Sequence, residues 1–120
     1  MYQPLPIILG ETVEDKLSNQ DIPTGDGGFA RDYAVNLKEK DRILIEIISD
    51  QFDTIVILMT EDGQTVAEND DAPDGSTNSL LFTTITTEGK YIIRVRSFAL
   101  TGGGDFTIRV AKMQEIGVTP

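Results

Sequence analysis

The segment 68-ENDDAPDGSTNS-79 places four acidic side chains, two Asn, two Ser and a Thr in twelve residues, between the apolar runs 55-IVILM-59 and 80-LLF-82. Asn69, Asp70, Asp71 and Asp74 bring carboxylates and an amide into one short loop. That donor set suits a hard cation, and calcium takes roughly six to eight oxygens at about 2.3–2.6 Å, backbone carbonyls included. The segment is not an EF-hand: counted from Asp70, the third position is Ala72 and the twelfth, where Glu is required, is Leu81. The alternative is structural, with Asp and Asn closing Asx-turns and Pro73 and Asp74-Gly75 making a tight turn. Repulsion among Asp70, Asp71 and Asp74 keeps the cation in contention, because unneutralised like charges oppose close packing.

Three further constellations carry possible chemistry. Asp53 precedes the run 54-TIVILMT-60, and Glu61-Asp62-Gly63-Gln64 is a hairpin turn. An antiparallel hairpin brings the start of one strand beside the end of its partner. Asp53, Asn69, Asp70 and Asp71 are therefore expected to form one cluster, with calcium as the candidate ion. A second acidic group, Asp21, Asp26 and Asp32, surrounds the loop 21-DIPTGDGGFARD-32, which also reads as a plain glycine loop with Asp32 pairing Arg31 or a nearby amide. Arg94, Arg96 and Arg109 are expected to form a basic stripe on one sheet face. Either Arg94 and Arg96 dock a partner there, or the arginines pair across strands with Glu46 and other acids.

Composition removes whole classes of function. Cysteine and histidine are both absent, which excludes disulfides, thiolate nucleophiles, His-based acid–base pairs and ordinary zinc, copper or haem sites. With 20 acidic and 10 basic residues the formal charge is −10. Such a surface repels phosphates and anionic lipid, so neither nucleic acid nor a membrane is an expected partner. No apolar run approaches the ~20 residues of a membrane span. The N-terminal 1-MYQPLPIILG-10 lacks a basic region and a small-residue cleavage site, so it does not read as a signal peptide. Paired carboxylates alone could hydrolyse glycosides, but no deep cleft is implied, and 101-TGGGD-105 is a turn without the strand–helix setting of a phosphate loop. No catalytic activity is expected.

The elements that must position these residues are strands. In 32-DYAVNL-37, 91-YIIRVRS-97 and 106-FTIRVA-111 apolar and polar side chains alternate, as on strands with one buried and one wet face. The runs 43-ILIEIIS-49 and 54-TIVILMT-60 are apolar on both faces and rich in β-branched residues, as central strands are. The one helical candidate, 12-TVEDKLSNQ-20, reads at least as well as an edge strand followed by a loop. Seven or eight strands at spacings of ~8–12 residues predict an all-β fold, an antiparallel sandwich or jelly-roll-like barrel. The length of 120 residues makes this a single domain, 1–120, with its core over about 10–112.

From about Gly10 to Val110 the order of features resembles the bacterial pre-peptidase C-terminal domain family, to which the collagen-binding domains of bacterial collagenases look related. Gly10 and Leu17, the Asp32-Tyr33 pair, 50-DQFDTIVILMTEDGQTVAENDD-71, Ser79, 88-EGKYIIRVRS-97 and 105-DFTIRV-110 carry the resemblance. It implies a β-sandwich and an accessory, non-catalytic role beside a secreted or surface-bound bacterial peptidase, attached or associated. It also implies that Asp26 and Asp32 inherit calcium ligation from the collagenase relatives. The alternative role is adhesion to collagen-like, peptide or glycan targets. For that role the chain has no Trp, three Tyr, and Arg94 and Arg96 where the collagen binders carry aromatics.

Overall fold

The computed structural model describes residues 2–70, 77–98 and 102–113. Within them lie β1 (Leu5–Pro6), β2 (Thr12–Leu17), β3 (Ile22–Pro23), β4 (Phe29–Leu37) and β5 (Arg42–Ile48). These are followed by β6 (Thr54–Thr60), β7 (Thr65–Asn69), β8 (Ser79–Thr84), β9 (Gly89–Ser97) and β10 (Gly104–Lys112). Eight of the ten are five residues or longer; β1 and β3 are two-residue pairings on the margin of β4. The expected all-β sandwich is the observed fold.

The strands form two packed sheets. One has the order β1-β4-β9-β6-β7, with β3 also on β4; the other has the order β2-β10-β5-β8. Every pairing is antiparallel except β1 with β4. The doubly apolar runs became β5 and β6, each flanked by strands on both sides. The ambiguous 12–20 segment is an edge strand, β2. Its Val13 and Leu17 turn toward the core while Thr12, Glu14 and Lys16 alternate outward, so period 2 overrode any helical tendency.

The core lies between the sheets. Tyr33, Val35 and Leu37 of β4, Ile43, Ile45 and Ile47 of β5, Val56 and Leu58 of β6, Ile93 and Val95 of β9, and Phe106, Ile108 and Val110 of β10 share one cluster. Phe52, just ahead of β6, plugs its end and meets Phe106 edge-on, with centroids 6.1 Å apart at 83°. A second, smaller cluster, Ile57, Met59 and Ile92, lies on the other face of β6 and β9. The β6–β7 hairpin turns as its sequence demands: Gly63 takes φ 92°, the left-handed conformation that glycine adopts without strain.

One sequence expectation is corrected. Arg109 sits on β10, in the sheet opposite Arg94 and Arg96, so the three arginines do not share a face. Alternation placed each residue on its strand's wet side, but which sheet a strand joins is not encoded in that alternation. The packing predicts a sharp contrast in stability. Ile93→Ala, at a position 0 % exposed, should lose about 2–5 kcal/mol in chemical denaturation, whereas Phe82→Ala, at a position 57 % exposed, should stay within about 0.5 kcal/mol. Similar losses at both sites would contradict the described core.

Candidate functional site

The polar constellations are built where β4 and β9 run side by side, with Asp32 opposite Arg94 and Ala30 opposite Arg96. Tyr33 faces the core, so its neighbour Asp32 points to the outer face. There Arg94 donates from Nε and Nη2 to the two Asp32 carboxylate oxygens, at 2.8 and 2.9 Å. The Tyr2 hydroxyl donates to the same carboxylate and ties the N-terminal segment to the sheet. The Asp32 side chain is 1 % exposed and that of Arg94 31 %. The Asp32 hydrogen bonds hold the Arg94 guanidinium above its ordinary range. Partial burial, then Asp32 beside it, push the Tyr2 phenol up to about 12.

One row further along, Arg96 donates from Nη2 to Asp26 at 2.9 Å. Asp26 also accepts from the Thr24 hydroxyl and from the Gly28 N–H at 3.1 Å, closing the loop on itself. The Thr24 hydroxyl first and then the Gly28 N–H, with a lesser contribution from Arg96, hold its carboxyl below the usual range against the opposing effect of desolvation. Gly28 passes so close to β9 that a Cβ there would meet the Ser97 carbonyl oxygen at 2.8 Å. The bidentate Asp32–Arg94 geometry is a strong charge-assisted pair. It occupies the Asp32 oxygens that a cation would need, with a positive group in place.

The expected acidic cluster at the β6–β7 end is only partly described. Asn69 stands opposite Val56 in the hairpin, which brings Asn69 and Asp70 to the end of β6 that Asp53 precedes. Asn69 donates from Nδ2 to the Leu80 carbonyl at 2.7 Å, tying β7 to β8 across the sheets. The Asp53 carbonyl accepts from Phe98 N–H at 2.8 Å. Asp70 is exposed. Asp71 and Asp74 lie outside the described residues. Among the described residues, no three acidic side chains converge as a metal cage would require.

Sequence reasoning missed the polar tie between the sheets. Asp15 of β2 accepts from the Tyr33 hydroxyl at 2.5 Å and from Arg31 Nη1 at 2.8 Å, both on β4 of the other sheet. Arg31 Nε also donates to Asp21 at 2.9 Å. Burial raises the Asp15 carboxyl, but Tyr33, the Lys16 N–H and Arg31 outweigh it, and the net direction is below the ordinary value. The available signal was Asp15 at an inward position of 12-TVEDKL-17, where a carboxylate demands partners. Two surface features were also invisible in the sequence. A shallow groove of about 880 Å³ runs past Glu14, Asp50, Asp105 and Ile48. The outer face of the β2-β10-β5-β8 sheet exposes Ile48 and Phe82 beside the Arg109–Glu46 pair, 3.3 Å apart.

No protein-family model matches this chain, and no curated protein matches it. Solved structures share the fold. The pre-peptidase C-terminal domain of a collagenase from Bacillus anthracis superposes with a TM-score of 0.68 at 18% identity, over 90% of this chain and 94% of that one. PliG of Aeromonas hydrophila, a periplasmic inhibitor of g-type lysozyme, gives 0.68 at 11% identity, over 92% and 96%. At such identities the likeness is one of fold.

The Asp15 tie has a pH signature. A carboxyl whose folded pKa is depressed adds stability above its unfolded value and loses it as pH falls through the folded one. Tyr33→Phe should therefore cost about 1 kcal/mol near neutrality. The gap to the unsubstituted protein should narrow below about pH 4, read by denaturation across pH. A gap independent of pH would contradict it.

Proposed function

We propose that the chain is a non-catalytic accessory domain of a larger extracytoplasmic bacterial protein, joined to a peptidase. The observation that carries this reading is the superposition of nine-tenths of the chain on a collagenase's pre-peptidase C-terminal domain. The composition agrees, since neither cysteine nor histidine is present. So does the site chemistry: Asp15, Asp26 and Asp32 are each engaged with an arginine rather than poised for proton transfer. The periplasmic setting of PliG supports an extracytoplasmic location. The coding sequence on either side of this segment tests the reading; a reading frame without a peptidase domain overturns it.

Calcium belongs to this proposal as a structural ligand. Asp53, Asn69, Asp70 and Asp71 take precedence over Asp26 and Asp32, whose carboxylates already hold Arg96 and Arg94. Bound calcium at a hundred times its dissociation constant would add about 2.7 kcal/mol of stability. Thermal melts should therefore rise in calcium, fall back in chelator, and lose the difference in Asp70→Asn. An unchanged melting temperature in millimolar calcium removes calcium from the reading.

A second reading, adhesion to collagen-like, peptide or glycan targets, is favoured by the exposed Ile48 and Phe82 on one sheet face. Docking through Arg94 and Arg96 would require a partner acid to displace Asp32 and Asp26. Immobilised collagenous peptides and glycan arrays should then retain the domain, and Phe82→Ala or Arg96→Ala should release it. Retention indifferent to both substitutions excludes these faces.

A further inference from the structure

Sheet edges expose backbone N–H and C=O groups that pair with any extended chain unless they are covered or charged. Two edges of this sandwich are covered or charged. β1 and β3 lie along the margin of β4. β2 carries Glu14, Asp15 and Lys16 in its middle. Among the described residues β8 pairs only with β5, and β7 only with β6. The Asn69 amide of β7 bonds the Leu80 carbonyl of β8, and among the described residues β7 alone of the two has an acidic groove beside its first residues. Its sequence, 65-TVAEN-69, has no Pro or Lys and begins with β-branched residues, and Val66 is exposed.

Beside this edge runs an open groove of about 880 Å³, between the first residues of β7 and the turn at Thr86–Gly89. Val66 and Tyr91 supply apolar lining, and Glu61, Asp62 and Glu88 rim it. Glu68 extends the negative charge along β7. Among the described residues lining the groove, the one ammonium is that of Lys90, 3.5 Å from Glu61. From this combination we propose that β7 accepts a cationic extended peptide segment as an added strand. The segment's backbone pairs with the edge, and its lysine or arginine side chains lie against Glu61, Asp62, Glu68 and Glu88. Main-chain bonds supply affinity in such strand addition and side-chain contacts supply selectivity, while the acidic rim steers a positive segment in. A second copy of this chain is the poorer occupant, because two molecules of formal charge −10 repel each other. The proposal stands whether or not the domain is joined to a peptidase.

The test is an NMR titration of the isotope-labelled chain with a short synthetic peptide alternating lysine and valine, beside its glutamate–valine counterpart. The lysine peptide should shift the amides of residues 64–68 and 86–90 saturably, slow hydrogen exchange along β7, and weaken in high salt. The glutamate peptide should do neither. The exposed double substitution Glu68→Lys with Glu88→Lys should keep a folded spectrum and weaken the lysine peptide on the order of tenfold. The proposal is overturned if no saturable shifts occur or both peptides bind alike. Equal affinity in the double variant, shifts on the Phe82 or Arg94 faces, or β7 shifts that follow protein concentration alone would also overturn it.

Discussion

The Asp15 carboxylate is the point on which the two sheets are registered to each other. Alternating apolar strands bury one face each, and that burial is non-directional: it pulls the sheets together without saying how they should align. The hydrogen bonds from Tyr33 and Arg31 to Asp15 add direction, joining β4 to β2 at one side of the sandwich. At the other side Thr54 and Ser79, both 0 % exposed, bond each other, and the Thr54 hydroxyl reaches the Thr77 carbonyl, joining β6 to β8. The buried Tyr33, Thr54 and Ser79 hydroxyls are tolerated because each finds a partner across the sheets, as the part-buried Asp15 carboxylate does.

The same economy governs the outer face of β4 and β9. Arg94 and Arg96 look like a docking stripe when taken alone, and Asp26 and Asp32 look like cation ligands. Placed in register, they become each other's partners. With twice as many acids as bases, nearly any cation on this surface has an acid within reach, and pairing is the cheaper outcome. What remains for recognition lies elsewhere: an apolar outer face around Phe82, and the edge of β7 with its acidic rim. On the rim, Glu61 already meets Lys90, and Glu68 and Glu88 are exposed beside it.

The fold was largely legible in the chain. The strands at 32–37, 43–49, 54–60 and 91–97 and the 61–64 turn all followed from period 2, β-branched runs and turn chemistry, which are local properties. The candidate sites were legible only as residue types. Their partners lie 62 residues apart for Asp32 and Arg94, and 70 apart for Asp26 and Arg96. No local signal couples such positions. Arg109 went to the wrong sheet for the same reason, and Asp15 passed unnoticed because its partner Tyr33 read simply as a core aromatic.

The sequence by itself determined the fold class, the interior place of β5 and β6 in their sheets, and the absence of thiol and imidazole chemistry. Those depend on residue type and on a period of two, both carried by the backbone's own geometry. Only the tertiary structure decided which acid meets which base, which sheet each wet face belongs to, and which strands lie at the sheet margins. These are contacts between distant strands, and alternation in one strand carries no record of its neighbour. So Asp32 proved to be the anchor of Arg94, and 65-TVAEN-69, an unremarkable run in the chain, became the exposed edge of a sheet.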